Sequence, residues 1–175
     1  MEFSKLVELR RSIRKYAKAD VKKQDIQEIL DCVRLAPSWK NSQTGRYYAA
    51  LSEEAIQKVY ESLPAFNRNS SENAAYIVSS FIKGISGTLK PGEMSQEGDL
   101  WGAYDLGLAN AYLILKAREL GYDTLIMGIR DEKAIREYFD IPEDEILLPV
   151  IAIGKGEGEP RANKRKELDE ILKIL

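Results

Sequence analysis

The sequence predicts an α+β domain, and three observations predict it. Apolar residues recur at helical spacing in several segments, the longest covering residues 99–120. Three short runs, Tyr47–Leu51, Ala75–Phe81 and Leu147–Ile153, have the β-branched and aromatic content of strands. Helices and strands do not alternate strictly, so a parallel sheet built from βαβ units is not expected. The expected architecture is a mixed or antiparallel central sheet flanked by helices. At 175 residues the chain has the length of one domain. A domain of that size buries about two-thirds of its unfolded surface.

The elements follow in order. Phe3, Leu6, Val7 and Leu9 form an apolar stripe, which predicts a helix over 2–10. Asp20 is placed to cap a second helix, whose inner face is Ile26, Ile29, Leu30 and Val33. Pro37 stops it and opens the polar loop Ser38–Gly45. After the Tyr47–Leu51 strand, Ser52-Glu53-Glu54 starts a third helix with acids in its first turn. Pro64–Asn73 reads as polar loop. Residues 83–99 hold Gly84, Gly87, Pro91, Gly92 and Gly98 and read as a long loop, a length that is functional when it sits inside a domain. The 99–120 helix is apolar on most of its circumference, which predicts burial or sharing with a partner. Thr124–Ile129 is a short extended stretch. Asp131 begins a helix that Ile141-Pro142 ends, and Glu167–Leu175 carries a last helical pattern.

Composition excludes several chemistries. There is no histidine, so no Ser-His-Asp triad, Cys-His pair or His-ligated zinc can form. The single cysteine, Cys32, allows no disulfide within the chain and no thiolate cluster; its spacing makes it a packing residue. No metal site is expected. Net charge is −2, which argues against a nucleic-acid surface. No apolar run reaches the roughly 20 residues of a membrane span, and Met1–Lys5 has no signal-like character, so a cytoplasmic protein is expected. With so little acid–base chemistry near pH 7, a cofactor must carry any hard step.

Two segments stand out. The first is Arg10-Arg11-Ser12-Ile13-Arg14-Lys15. Arginine's planar fork suits phosphate oxygens. If the first helix runs on, Arg10 and Arg14 share a face and Lys15 points about 100° away. A bend at Ser12-Ile13 could instead aim two guanidinium groups and a hydroxyl at one point. The second segment is Ala36-Pro37-Ser38-Trp39-Lys40-Asn41-Ser42-Gln43. Its amides carry both donors and acceptors, as the uracil-like edge of a flavin requires.

Together the two segments resemble the opening of the nitroreductase family of FMN flavoproteins: Arg-Arg-Ser-x-Arg, then Ala-Pro-Ser-x-x-Asn-x-Gln. The likeness runs on through Phe66-Asn67 before a strand, Asp105 in a long central helix, Met127-Gly128, and the basic run Lys164-Arg165-Lys166. The resemblance implies a nitroreductase-like homodimer with FMN shared between subunits. The cofactor set it implies is Arg10, Arg11, Ser12, Arg14, Pro37, Ser38, Trp39, Asn41, Gln43, Asn67, Met127, Gly128 and Arg165. Arg10, Ser12, Arg14 and Arg165 would hold the phosphate and ribityl chain. Pro37, Ser38 and Asn41 would come from the partner, Asn67 would meet the pyrimidine edge, and the Gly128 N–H would approach N5. No side chain is implied as an acid or base.

The activity implied is ping-pong transfer of electrons from NAD(P)H to nitroaromatics, quinones or similar acceptors. Three departures from the pattern stand beside it. Thr44-Gly45 follow Gln43 where the family has Pro-Trp, Trp39-Lys40 follow Ser38 where Ser-Gly is common, and Ser70 stands where larger members carry a lysine three residues after the flavin asparagine. These departures motivate a second reading, an FMN carrier or redox sensor with little turnover.

Overall fold

β7 (Glu145–Gly156) is the strand on which the sheet is built. Its residues Val150–Ile153 are fully buried, which fits the unbroken apolar run. The computed structural model describes residues 2–158, 160 and 162–175. Along one edge of β7, β3 (Ala75–Ile82) pairs from Ala75↔Ile153 to Ile82↔Glu145. Along the other, β6 (Asp123–Met127) pairs from Asp123↔Gly154 to Met127↔Val150. β2 (Gly45–Ala50) extends the sheet beyond β3, and β1 (Tyr16–Ala17) pairs with Gly156 and Lys155 at the end of β7. All these pairings are antiparallel. A single parallel bridge joins Ser12 to Thr124.

The two-residue alternation of the strands sorts the core into two layers. Tyr76, Val78, Leu125, Met127 and Val150 face Val59 of α3 (Glu53–Glu61) and Ile135 of α6 (Glu132–Phe139). Ala75, Ile77, Ile151 and Ile153 face Ile26, Ile29 and Val33 of α2 (Lys23–Val33) and Leu113 and Ala117 of α5 (Leu100–Glu119). The fold is therefore α+β, with an antiparallel sheet between helical layers. No described helix is long and apolar enough to cross a membrane.

The Ser52 and Asp131 side chains cap α3 and α6, accepting from the N–H groups of Ala55 and Ala134. α2 departs from expectation: it starts at Lys23 with Lys22 at the cap position and no side-chain cap, so Asp20 plays no capping part. α1 (Phe3–Leu9) ends at Leu9, and Arg10 is already extended at φ −64°, ψ 124°. The helical face that Arg10 and Arg14 would share does not form; the chain bends there instead.

Three further expectations are corrected. Pro64–Asn73 contains α4 (Ala65–Ser70), with Pro64 as N-cap. Ser70 and Ser71 hydroxyls donate back to the Phe66 and Asn67 carbonyls, satisfying the end of this polar helix without an apolar stripe. Residues 83–99 are not one loop: β4 (Thr88–Lys90) and β5 (Glu93–Met94) form a hairpin around Pro91-Gly92. Gly92 has φ +79°, the conformation that a glycine after proline supplies in a tight turn. The Glu167–Leu175 pattern forms only a 3-10 turn at Leu168–Glu170, and Leu168, Ile171, Leu172, Ile174 and Leu175 are exposed. No surface of the described chain covers that stripe, and an apolar stripe without a surface to bury gains little by becoming helical.

α5 meets the expectation of a helix apolar all round. Leu106, Leu113 and Ala117 are buried, while Leu100, Tyr104 and Tyr112 remain exposed on the outer side. Gly102 sets how closely α5 approaches β3, because an added Cβ would overlap the ring of Phe81, which is 2% exposed. Alanine in a helix is ordinarily favoured over glycine by about 0.8–1 kcal/mol. Overpacking a rigid core costs about 1–3 kcal/mol. Gly102→Ala is therefore expected to lower stability by about 1 kcal/mol in urea unfolding, and an equal or more stable variant would contradict this packing.

Candidate cofactor site

The basic run is pinned to the sheet. Ile13 is buried in the core layer of α3 and α6, and its N–H donates to the Thr124 carbonyl at 3.1 Å. Ser12 and Arg14, on either side of it, are exposed. Arg10 is partly buried and crowded by cations. Burial lowers its pKa first, and the charges of Arg11 and then Arg165 lower it further. The Arg11 guanidinium donates to the Arg10 carbonyl at 2.9 Å, and Lys15 pairs with Glu157 at 3.0 Å. Among the described residues no carboxylate forms an ion pair with Arg10, Arg11, Arg14 or Arg165. The fold thus gathers cations from both ends of the chain and leaves them short of an anion, the electrostatic condition of a phosphate site.

β6 leads away from this cluster. Gly128 lies four residues beyond the Ser12 partner Thr124, about 13 Å at roughly 3.3 Å per residue. Among the described residues, the outer edge of β6 is paired only at that bridge, and Ile126 and Ile129 are exposed. The Met127 side chain is 3% exposed and points into the core, so only its backbone faces outward. A Cβ added at Gly128 would meet nothing within 4 Å, so a flat ring has open access to this peptide. Asn67, on α4, is buried beside it. Its Nδ2 donates to the Ile129 carbonyl at 3.0 Å, and its Oδ1 accepts from no group among the described residues. A cation cluster, an open strand edge and a free amide acceptor are what a phosphate, a polyol chain and a heteroaromatic edge require.

Pro37–Gln43 forms a separate structure. Ser38 Oγ accepts from the Gln43 N–H at 3.0 Å, closing the loop on itself. Lys40, Asn41 and Gln43 all have positive φ, near +46°, +57° and +50°. Asp105, a buried carboxylate on α5, holds this conformation. Its Oδ2 accepts from the Trp39 N–H at 2.9 Å and from the Ser86 hydroxyl at 2.7 Å. The Trp39 indole donates to the Thr88 carbonyl at 3.1 Å and packs on Trp101 with ring centroids 4.9 Å apart. Its own chain engages that ring, whereas Pro37 and Asn41 are exposed. Pro37, Ser38 and Gln43 line a groove of about 400 Å³ with Tyr47, Leu106 and Ala109. None of Arg10, Ser12, Arg14, Asn67 or Gly128 lines it.

The residues expected to bind cofactor therefore fall into two groups. Arg10, Arg11, Ser12, Arg14, Asn67, Met127, Gly128 and Arg165 gather along β6. Pro37, Ser38, Trp39, Asn41 and Gln43 gather on the α5 side. Sequence reasoning did not find the role of Asp105 as the anchor of the second group, since its partners Trp39 and Ser86 lie far from it in the chain.

Known proteins share this fold. The profile of the nitroreductase family matches residues 7–87 and 89–155. A protein of Archaeoglobus fulgidus provisionally named an NADH dehydrogenase/NAD(P)H nitroreductase is 29% identical over 157 residues, covering 87% of this chain and 84% of its own. A provisionally named nitroreductase of Exiguobacterium sibiricum, solved in complex with FMN, is 26% identical and superposes with a TM-score of 0.81, covering 99% of this chain and 97% of its own. A nitroreductase family protein of Streptococcus pneumoniae shares the fold at a TM-score of 0.84 with 17% identity, covering 99% and 100%. With most of its length matched by the family profile, and its fold shared with solved members, the chain belongs to the nitroreductase family.

Proposed function

We propose that this chain is an FMN-dependent oxidoreductase that uses NAD(P)H to reduce nitroaromatics, quinones or similar acceptors by a ping-pong mechanism. It would work as a single-domain, cytoplasmic homodimer. The observation that carries this reading is the cation cluster at Arg10 and Arg165 joined by the open edge of β6 to the exposed Gly128 peptide. The FMN bound by the Exiguobacterium relative supports the identity of the cofactor. A single free cysteine suits a reducing compartment.

FMN, when bound, supplies the chemistry of accepting hydride and returning electrons. The residues of this chain supply the rest. Arg10, Ser12, Arg14 and Arg165 hold the phosphate with charge-assisted bonds, each worth about 1.5–3 kcal/mol. Asn67 offers Oδ1 to a ring N–H, and Gly128 offers its N–H with no side chain in the way. The exposed outer face of α5 at Leu100, Tyr104 and Tyr112 is where a second copy would dock. That copy would bring Pro37, Ser38 and Asn41 to the ring and exclude water. With no histidine in the chain, protons come from water or from the acceptor.

Purified, FMN-reconstituted protein is expected to release unmodified FMN on denaturation, identified by mass. It is also expected to oxidise NADH or NADPH steadily when a quinone or nitroaromatic is present. FAD or no flavin would refute the cofactor, whereas FMN without turnover would favour the carrier or sensor reading.

Arg14 is expected to matter more than Lys15, because Lys15 is already paired with Glu157 and Arg14 has no carboxylate partner among the described residues. Arg14→Ala should weaken FMN binding about tenfold or more, the equivalent of roughly 1.4 kcal/mol. Lys15→Ala should change it little. Equal losses measured by fluorescence titration would contradict the assignment.

Dimerisation and FMN affinity are expected to be linked, since the two residue groups lie apart in one protomer. Added FMN should raise the melting temperature, and dilution should lower it. A folded monomer that keeps FMN at full stoichiometry in sedimentation at low micromolar concentration would exclude the shared site.

A further inference from the structure

The turn after β6 holds a cation that the expected set of site residues does not include. Arg130 Nη1 donates to the Gly128 carbonyl at 2.6 Å, and Nη2 donates to the Leu147 carbonyl at 2.6 Å and to Glu132 Oε2 at 3.1 Å. The side chain is 13% exposed, and its Nε is buried without a partner among the described residues. Burial lowers the pKa of the guanidinium; Glu132 opposes the shift and Arg136 adds to it. One residue along, Asn67 takes the Ile129 carbonyl. The Gly128 and Ile129 carbonyls are thus each held by a side chain. The N–H of Asp131 is also committed, to Ser62 at 2.6 Å. The N–H groups of Gly128, Ile129 and Arg130 donate to no acceptor among the described residues. The turn offers three amides with no acceptor among the described residues, beside one half-buried cation.

Ser70 brings no charge to the position where larger family members carry lysine, and its hydroxyl is spent on the Phe66 carbonyl at 2.8 Å. Glu132 is shared between two arginines, accepting from Arg136 Nε at 3.0 Å as well as from Arg130. It therefore neutralises Arg130 only in part.

We propose that Arg130 is the positioning and charge-tuning residue at the ring end of the FMN site: it fixes the Gly128 carbonyl, steadying the residue whose N–H is left free, and makes the site favour the reduced form of FMN. The inference rests on the reading that FMN lies along β6 with its ring at Gly128. A ring that meets the Gly128 N–H lies within one residue of a guanidinium bonded to the carbonyl of that same residue. Reduction adds negative charge to the ring, and a nearby cation in a partly desolvated site stabilises that charge preferentially. Lysine keeps the charge but cannot span both carbonyls with a rigid fork.

The test uses reconstituted full-length protein. Affinity for oxidised FMN is read by fluorescence titration, and the two-electron midpoint potential by spectroelectrochemistry. Together they give the ratio of reduced to oxidised affinity. Arg130→Met is expected to lower that ratio about tenfold, which corresponds to a potential about 30 mV more negative for a two-electron couple. Glu132→Gln removes the partial neutralisation and should raise the ratio. Arg130→Lys should keep the ratio within about threefold of wild type while weakening oxidised FMN. A merely structural role would not give shifts of opposite sign at Arg130 and Glu132. An unchanged ratio in Arg130→Met, or a ratio not raised in Glu132→Gln, overturns the inference while leaving FMN binding in place. If Arg130→Met does not fold, the lysine and glutamine variants decide alone: a ratio lost in Arg130→Lys, or not raised in Glu132→Gln, overturns it. A wild type that binds no FMN overturns both this inference and the proposed function.

Discussion

The single bridge between Ser12 and Thr124 is the constraint on which the site depends. It ties the basic run to the start of β6, with Ile13 buried as the anchor. The segment then leaves β6 and pairs Tyr16 with Gly156, past the end of the β6 ladder. Had the N-terminal segment continued beside β6, it would have covered the edge that leads to Gly128. A strand edge left open is ordinarily a liability. Here it is short and ends at a glycine, beside a buried asparagine and a half-buried arginine. In the proposed function that edge is where the ligand would lie.

Asp105 organises the other half in a different way. Three non-glycine residues in a four-residue stretch, Lys40, Asn41 and Gln43, sit at positive φ. Such conformations cost about 1–2 kcal/mol each for residues with a Cβ, somewhat less for asparagine. A carboxylate that accepts from both the Trp39 N–H and the Ser86 hydroxyl offsets part of that cost, and Ser38 closing on Gln43 offsets more. Trp39 and Lys40, which depart from the usual family pattern, are explained by the hairpin. Both donate to the Thr88 carbonyl, and Lys40 also reaches Leu89. The loop is held from below by α5 and from the side by β4, which leaves Pro37 and Asn41 exposed.

What the sequence revealed was mostly local. The α+β class, strands β3 and β7, helix α5, and the caps at Ser52 and Asp131 follow from periodicities and cap chemistry that act within a few residues. What it concealed was non-local. β7 as the central strand depends on partners more than twenty residues away on either side. Arg10 and Arg165, far apart in the chain, influence each other only through the fold. α4 has no apolar stripe to announce it, and its end is satisfied by serine hydroxyls. Arg130 gives no signal in the sequence, being a lone arginine in the short segment after a strand. Only the fold shows its fork closed on the carbonyls of Gly128 and Leu147. The family resemblance named candidate site residues along the chain. It could not supply Asp105 and Arg130 as the residues that hold them.

The two places where apolar surface remains uncovered bear on each other. α5 has almost no amphipathic character, and a sheet can cover only one side of a helix. The side bearing Leu100, Tyr104 and Tyr112 is left in water. The stripe of Leu168, Ile171, Leu172, Ile174 and Leu175 is likewise exposed and, apart from one 3-10 turn, irregular. A solvated helix of that length is marginal, and packing normally supplies most of its stability. The irregular tail and the bare face of α5 therefore have one physical cause, the lack of a covering surface within the protomer. Exposed apolar patches of this kind mark interaction sites. The proposed second copy would supply a surface for both and would bring the loop held by Asp105 to the edge held open beside β6.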